Sequence, residues 1–119
     1  MSVLLCDDEP SIRLLFRTAI EQLGFDVVEV TSGEDCLAAV DGHHEAVILD
    51  MYLPGEDGLS ILPRLAEACP TTPIFVVSAH AGRDVFDQAL AWGATACFEK
   101  LAFLDRLPRL LAGARTTTV

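Results

Sequence analysis

Short apolar runs alternate with amphipathic helical patterns from one end of the chain to the other. After the first run, apolar side chains recur at spacings of three and four residues through "SIRLLFRTAIEQLG", which predicts a helix that ends at Gly24. The alternation then repeats. The predicted strands are 3–6, 26–30, 46–51, 74–78 and 96–100, and the predicted helices lie within 11–24, 33–40, 59–68, 83–92 and 104–114.

This order of elements predicts an α/β fold in which helices connect parallel strands. The runs "AVIL" (46–49) and "IFVV" (74–77) contain no polar residue, as expected of a sheet that helices cover on both faces. Pro63 and Pro108 fall inside two of the helical patterns, although proline is best tolerated in the first turn of a helix. We therefore expect the third and fifth helices to begin late or to bend.

Length and charge narrow the class of protein. A chain of 119 residues can bury one core, so we expect one domain over 1–119 with a frayed tail from about residue 115. The net charge of -10 argues against direct binding of nucleic acid, which depends on Lys and Arg. No run approaches the roughly 20 apolar residues of a membrane span. Because "MSVLLCDDEP" also lacks the basic start of a secretory signal, we expect a cytoplasmic protein with no membrane partner.

Cysteine spacing suggests neither a zinc site nor a redox pair. Cys6, Cys36, Cys69 and Cys97 lie far apart, without a C-x-x-C pair or a cluster with histidine. We expect buried, reduced thiols. Trp92 and Phe98 could form an exposed surface for a partner, but because Trp92 ends an amphipathic helix we assign it to the core.

Polar residues follow four of the apolar runs at the point where each strand ends. "VLLC" is followed by Asp7 and Asp8, "AVIL" by Asp50, "IFVV" by Ser78, and "ACFE" by Lys100, which is the only lysine in the sequence. The carboxyl ends of parallel strands share one edge of the sheet, where open α/β sheets bind their ligands. We therefore expect these five side chains to converge.

The residue types at that edge specify a chemistry. Three carboxylates within about 5 Å repel one another by roughly 3 kcal/mol per pair, so they need protons or a cation. Mg²⁺ suits such a cluster and commonly takes further ligands from substrate phosphates. A carboxylate screened in this way can attack a phosphoryl group, while an ammonium and a hydroxyl hold the transferred oxygens. In the competing interpretation, Asp7 and Asp8 cap the helix that follows Pro10.

Four motifs in this order resemble the receiver domain of two-component response regulators. They are "CDDEPSIR" after the first strand, "ILDMYLPGEDG" around the third, "VVSA" after the fourth and "GATACFEK" at the fifth, and together they span essentially the whole chain. The resemblance implies a doubly wound, flavodoxin-like (βα)5 fold with five parallel strands in the order 2-1-3-4-5. It also implies Mg²⁺ as the cofactor.

By position, the resemblance assigns a role to each polar strand end. Asp50 resembles the phosphoacceptor, and it would sit at a buried strand end because a metal ion and a lysine meet it there. Ser78 and Lys100 resemble the hydroxyl and the amine that contact the phosphoryl group. The implied Mg²⁺ ligands are Asp8 directly, Asp7 through a water, Asp50, and the backbone carbonyl of Tyr52.

The sequence departs from the family pattern near the fifth strand. Leu101 follows the lysine where the family usually has proline, so we expect a trans peptide bond and a shifted loop. Cys97 stands where a switch aromatic is usual, and Phe98 falls on the opposite side of the strand. His80 and Tyr52 resemble the variable pair that tunes the lifetime of the phosphoryl group.

The function implied by the resemblance is that of a stand-alone phosphoacceptor, not an enzyme in the ordinary sense, although it assists its own phosphorylation and dephosphorylation. Its phosphodonor partner would be a histidine kinase or a histidine phosphotransferase. A downstream protein would bind the face formed by the fourth helix, fifth strand and fifth helix.

Two alternatives stay open. Leu101 and Cys97 leave room for a receiver-like interaction module that is never phosphorylated. A small phosphatase of the haloacid-dehalogenase type uses similar groups, but it needs an acid two residues after its nucleophile. That place holds Tyr52 after Asp50, and Glu9 after Asp7.

Overall fold

The computed structural model describes residues 1–53, 58–79 and 82–116, in which five strands alternate with five helices. The strands are β1 (Ser2–Cys6), β2 (Asp26–Val30), β3 (Ala46–Asp50), β4 (Ile74–Ser78) and β5 (Ala96–Glu99). The helices are α1 (Pro10–Gln22), α2 (Gly33–Ala39), α3 (Gly58–Ala68), α4 (Arg83–Ala91) and α5 (Lys100–Thr116). The alternation of elements is therefore as predicted.

The five strands form one parallel sheet in the order β2-β1-β3-β4-β5. This confirms the predicted doubly wound, flavodoxin-like topology. Every residue of β3 and β4 is buried, whereas the edge strands β2 and β5 are partly exposed. Because β2 and β3 lie on opposite sides of β1, the strand order reverses between β1 and β3, which is where such sheets bind ligands.

Alternate side chains of the strands build a separate core on each face of the sheet. In β1, Leu4 and Cys6 pack toward α2, α3 and α4, whereas Val3 and Leu5 pack toward α1 and α5. The α1/α5 face holds a cluster of aromatic rings with centroids 5.3 to 6.4 Å apart, formed by Phe16, Phe75, Phe98 and Phe103.

The thiols lie on the other face. Cys6, Cys36 and Cys69 are buried and Cys97 is half-buried, and all four are free. Burial raises the pKa of the Cys6 and Cys69 thiols, and it raises the pKa of Cys97 to about 11 with a further contribution from the charge of Asp87. The prediction of reduced, largely buried thiols is confirmed.

Of the two outcomes expected for the proline-containing helices, a late start is wrong, and a bend stays a prediction. Pro63 is the sixth residue of α3, and α5 begins at Lys100, so Pro108 lies well inside it. An interior proline loses one backbone hydrogen bond and crowds the preceding turn. Here buried apolar residues lie before and after each proline, and their packing against the sheet stabilises both helices: Ile61, Leu62 and Leu65 in α3, and Phe103, Leu107 and Leu111 in α5.

The connection after β5 also differs from the expected shifted loop. The Lys100–Leu101 bond is trans, as predicted, since no cis peptide bond occurs in the described residues. However, α5 starts directly at Lys100 without an intervening loop. Leu101 in the first turn is 70% exposed. Trp92 is 41% exposed, so its assignment to the core was wrong.

Within the described residues, no helix is both long enough and apolar enough to cross a membrane.

Candidate acidic phosphoryl-transfer site

The ends of the strands bring the predicted polar residues to one edge of the sheet. Asp50 is the last residue of β3, and Ser78 is the last residue of β4. Cys6 pairs with Leu49, so Asp7 follows β1 at the level of Asp50. Lys100 follows β5 directly as the first residue of α5. The strand ends therefore share one edge as predicted, and the side chains of Asp7, Asp8, Asp50 and Lys100 come together there.

Asp7, Asp8 and Asp50 form a compact acidic cluster. One carboxylate oxygen from each lies within 4.8 Å of the other two. Asp7 and Asp50 are buried, whereas Asp8 is exposed at the mouth of the cluster. Like charges at this separation repel one another, and burial strengthens the repulsion because little water screens it.

Lys100 bridges the two buried carboxylates. Its Nζ donates to Asp50 Oδ2 at 3.1 Å and lies 3.0 Å from Asp7 Oδ2 as an ion pair, and the lysine is itself buried. Burial lowers the pKa of Lys100, but the two carboxylates raise it more, so the net pKa lies above its usual value. The lysine is thus charged at neutral pH. Three carboxylates against one ammonium leave two negative charges uncompensated.

The pKa of Asp50 lies above the ordinary value for an aspartate. Burial is the largest cause, and the neighbouring charge of Asp7 raises it further. The backbone N–H of Tyr52, which donates to Asp50 Oδ1 at 3.2 Å, lowers this pKa, as does Lys100. Two donors therefore hold the Asp50 carboxylate. Its burial and the charge of Asp7 nevertheless favour the binding of a proton or a cation.

Asp7 is held by the chain around it. Its N–H donates to the carbonyl of Val30 at 3.1 Å, and its Oδ1 accepts from the N–H of Glu9 at 2.9 Å. The N-cap of α1 is Glu9, which makes no side-chain capping hydrogen bond. Neither Asp7 nor Asp8 occupies the N-cap position, so the capping interpretation of this pair is wrong.

The donor set fits a hard divalent cation. It consists of carboxylate oxygens with an uncompensated charge, and the exposure of Asp8 leaves one side open to water. Mg²⁺ prefers one or two carboxylates together with several waters, whereas a soft metal would require sulfur or imidazole ligands. The residues of the cluster therefore fit a hard divalent cation such as Mg²⁺. The proposed ligand role of the Tyr52 carbonyl stays a prediction.

Gly58 is a structural requirement of the site that sequence reasoning missed. It begins α3, and its N–H donates to the carbonyl of Met51 at 2.8 Å. A Cβ at this position would collide with the carbonyl oxygen of Asp50. The start of α3 therefore approaches the backbone of the acidic strand end as only glycine permits. The "EDG" triplet after Asp50 was its signal in the sequence.

The predicted modulatory residues occupy different surroundings. The Tyr52 side chain is exposed two residues after Asp50, and Ser78 is buried one position beyond the strand partner of Asp50. His80 lies outside the described residues. Cys97 and Phe98 lie on opposite faces of the sheet, as predicted.

Cys97, which stands where the family usually has a switch aromatic, lies beside a groove. Cys97 Sγ donates to the carbonyl of Phe86 at 3.7 Å. It lines a groove of about 470 Å³ between α4 and β5 together with Arg83, Phe86, Asp87, Leu90, Thr95 and Ala96. Phe98 instead packs on Phe75 and Phe103 in the other core, away from this groove.

Comparison with known proteins agrees with this arrangement. The chain is 33% identical over 108 residues to the sensor protein EvgS of Escherichia coli (strain K12), a match that covers 90% of this chain and 9% of that protein. It is 34% identical over 106 residues to the transcriptional regulatory protein TcrA of Mycobacterium tuberculosis (strain ATCC 25618 / H37Rv), covering 88% of this chain and 42% of that protein. The chain thus spans less than half of the length of these two relatives.

Solved structures share the fold. A response regulator receiver domain protein from Clostridium thermocellum superposes with a TM-score of 0.85 at 22% identity, covering 98% of this chain and 95% of that one. A response regulator protein from Burkholderia pseudomallei, solved with a phosphorylated aspartic acid, a calcium ion and citrate, gives 0.83 at 22% identity over 98% of this chain and 70% of that one. Residues 3–112 match the family described as the response regulator receiver domain, and the chain belongs to that family.

Proposed function

We propose that this chain accepts a phosphoryl group on Asp50 in a Mg²⁺-dependent reaction, from a histidine kinase or a histidine phosphotransferase. One observation carries the proposal. A buried carboxylate at a strand end is paired with the single lysine and clustered with two further carboxylates. A structural ion pair would require one carboxylate for the lysine, whereas this cluster keeps two charges in excess.

The transfer itself needs little from the protein beyond position and charge. An oxygen of the Asp50 carboxylate attacks the phosphorus of a phosphohistidine, the P–O bond forms as the P–N bond breaks, and the imidazole leaves with the bonding electron pair. Asp7 and Asp8, with Asp50, would hold the cation. When bound, Mg²⁺ supplies charge neutralisation between the carboxylates and the incoming phosphoryl oxygens.

Lys100 and Ser78 support a response to the modification. Phosphorylation changes one carboxylate into a group of about -1.5 to -2 charges with three acceptor oxygens. The Lys100 ammonium already donates to Asp50 Oδ2, and Ser78 ends the neighbouring strand. A conformation in which both reach the new oxygens would be favoured, since a ligand shifts an equilibrium toward the state it contacts best.

The proposed surface for a downstream protein is the face of α4, β5 and α5. Three large apolar side chains are exposed on these elements or directly after them: Leu90, Trp92 and Leu101. The groove beside Cys97 lies on the same face. Apolar surface of this kind is typical of a protein partner. We also propose that 1–119 forms one domain and acts in the cytoplasm.

Cys97 keeps one alternative open: a receiver that binds partners without being phosphorylated. A half-buried thiol replaces the aromatic side chain that usually reports phosphorylation at this position. The phosphatase alternative is not pursued, because family membership argues for a phosphoacceptor and Glu9 is engaged at the start of α1 through its backbone and side chain.

The test is labelling by a small phosphodonor such as acetyl phosphate in the presence of Mg²⁺, read by intact-protein mass. Wild type should gain one phosphoryl group, whereas Asp50→Asn should gain none and chelation of Mg²⁺ should prevent labelling. Asp26→Asn is the matched control, because Asp26 begins β2 at the opposite edge of the sheet. Undiminished labelling of Asp50→Asn would refute the assignment, and no labelling of wild type by any phosphodonor would favour the alternative.

A further inference from the structure

Arg13 connects α1 to the backbone of the acidic cluster. Its Nη1 donates to the carbonyl oxygen of Asp7 at 3.1 Å, and its Nε lies 3.5 Å from Glu29 Oε1 on β2. The Arg13 side chain is only 20% exposed. This arginine is the last residue of the "CDDEPSIR" motif, and nothing in the chemistry described above uses it.

The carbonyl that Arg13 binds has a particular place in the chain. The C=O of Asp7 and the N–H of Asp8 belong to one planar peptide unit. A donor that holds this oxygen therefore orients the unit that joins the buried carboxylate to the exposed one. Asp7 has other restraints, since its N–H and its Oδ1 are hydrogen-bonded and its Oδ2 lies 3.0 Å from Lys100 Nζ. Asp8 is exposed, and the Arg13 contact restrains the peptide unit that carries the Asp8 N–H.

A second arginine provides an internal comparison. Arg17, one turn further along α1, pairs with Glu29 Oε2 at 2.7 Å and with Glu21 Oε2 at 3.4 Å. Both arginines thus share Glu29. The ion pairs of Arg17 join α1 to itself and to β2, whereas Arg13 also contacts the backbone of the acidic loop.

We propose that Arg13, oriented by Glu29, is a positioning residue that sets the affinity of the Asp7–Asp8–Asp50 cluster for its divalent cation. This inference rests on the proposed function, which requires that the cation bind there. Arg13 acts through the Asp7 peptide and not as a ligand, because a cation cannot coordinate a cation.

Charge and position predict opposite effects of removing Arg13. If only its positive charge mattered, its loss would reduce repulsion of Mg²⁺ and tighten binding. If it positions the ligands, its loss weakens binding, and substitutions of groups that orient metal ligands typically weaken affinity by about tenfold or more. The sign of the change therefore separates the two explanations.

The experiment is a calorimetric titration of Mg²⁺ into the full chain, with urea unfolding in chelator alongside. Arg13→Gln should bind Mg²⁺ about tenfold more weakly, and Arg13→Lys, which keeps the charge and one donor, should recover part of the loss. Glu29→Gln should weaken binding less than Arg13→Gln. Arg17→Gln is the matched control and should bind as wild type does.

A kinetic readout distinguishes positioning from a general loss of structure. With acetyl phosphate, the Mg²⁺ concentration for half-maximal labelling should rise about tenfold in Arg13→Gln, whereas the rate at saturating Mg²⁺ should match wild type. Unchanged or tighter Mg²⁺ binding by Arg13→Gln overturns the inference, and so does an equal loss in Arg17→Gln. If Arg13→Gln does not fold, Arg13→Lys and Glu29→Gln decide in the same way. Wild type that binds Mg²⁺ without being labelled would refute the proposed function and leave the positioning result standing.

Discussion

Two ionic clusters, which Arg13 connects, differ in burial and in charge balance. The buried cluster of Asp7, Asp50 and Lys100 lies at the carboxyl edge of the sheet, with the exposed Asp8 at its mouth. The second cluster joins α1 to β2 at the surface, and its members are Arg13, Arg17, Glu21 and Glu29. The first cluster is largely buried and carries an excess of negative charge. The second is partly exposed to solvent, and its positive and negative charges are equal in number.

The difference shows what each cluster can do. Buried ions lose their hydration, and an excess of one sign inside a protein is destabilising until a counter-ion arrives. Such a site is less stable on its own and favours the binding of a cation. Exposed pairs are screened by water and salt and contribute little to stability. The proposed role of the surface cluster is to orient Arg13, which donates to the carbonyl of Asp7 in the acidic loop.

The largest effect should follow from removing the lysine. Lys100→Met leaves two buried carboxylates without their ammonium, and breaking a buried pair in this way destabilises by about 3 to 5 kcal/mol. Urea unfolding in metal-free buffer measures the loss. Arg106→Met, at an exposed position on the same helix, is the control and should unfold as wild type does. A loss below about 1 kcal/mol, the value of an ordinary surface pair, would remove the distinction between the clusters.

A smaller effect should follow from crowding the backbone beside the buried cluster. Gly58→Ala introduces a Cβ against the carbonyl of Asp50, and forcing an atom into filled space costs typically about 1 to 3 kcal/mol. Labelling of Asp50 should also slow, because the strand end must shift. Gly82→Ala is the matched control, since a Cβ there meets nothing within 4 Å. Equal stability of the two variants would contradict the close approach of α3.

The pH dependence of stability should reveal the raised pKa of Asp50. Because the folded protein binds this proton more tightly than the unfolded chain does, stability from this group is greatest below its unfolded pKa and falls as pH rises through the folded pKa. In metal-free buffer, the free energy of unfolding of wild type relative to Asp50→Asn should therefore fall as pH rises from about 4, the ordinary aspartate value. A difference that grows with pH would mean that Lys100 outweighs burial.

The smallest effect belongs to the exposed cluster. Arg17→Gln removes two surface pairs whose members are screened by solvent, so its urea midpoint should stay within experimental error of wild type. Added salt should leave that comparison unchanged. A clear destabilisation would show that the surface cluster holds α1 on the sheet and would reduce its contrast with the buried one.

Much of the fold follows from local patterns. The continuous apolar runs predicted the buried strands β3 and β4, because only a sheet covered on both faces allows them. The helices were harder to bound, since Pro63 and Pro108 are unfavourable locally and are accepted only because apolar neighbours pack on the sheet. Trp92 was misassigned for a related reason. Amphipathic spacing does not show whether neighbouring elements cover a side chain at the end of a helix.

The sequence by itself determined which residues end the strands and which chemistry they carry. Asp50 and Ser78 end their strands and Asp7 directly follows β1, so their convergence requires only that parallel strands share one edge. The tertiary structure alone decided the two charges left uncompensated by Lys100, the close approach of Gly58 and the reach of Arg13 to the Asp7 carbonyl. Those contacts depend on distances of a few ångströms between residues far apart in the chain, and periodicity carries no information at that scale.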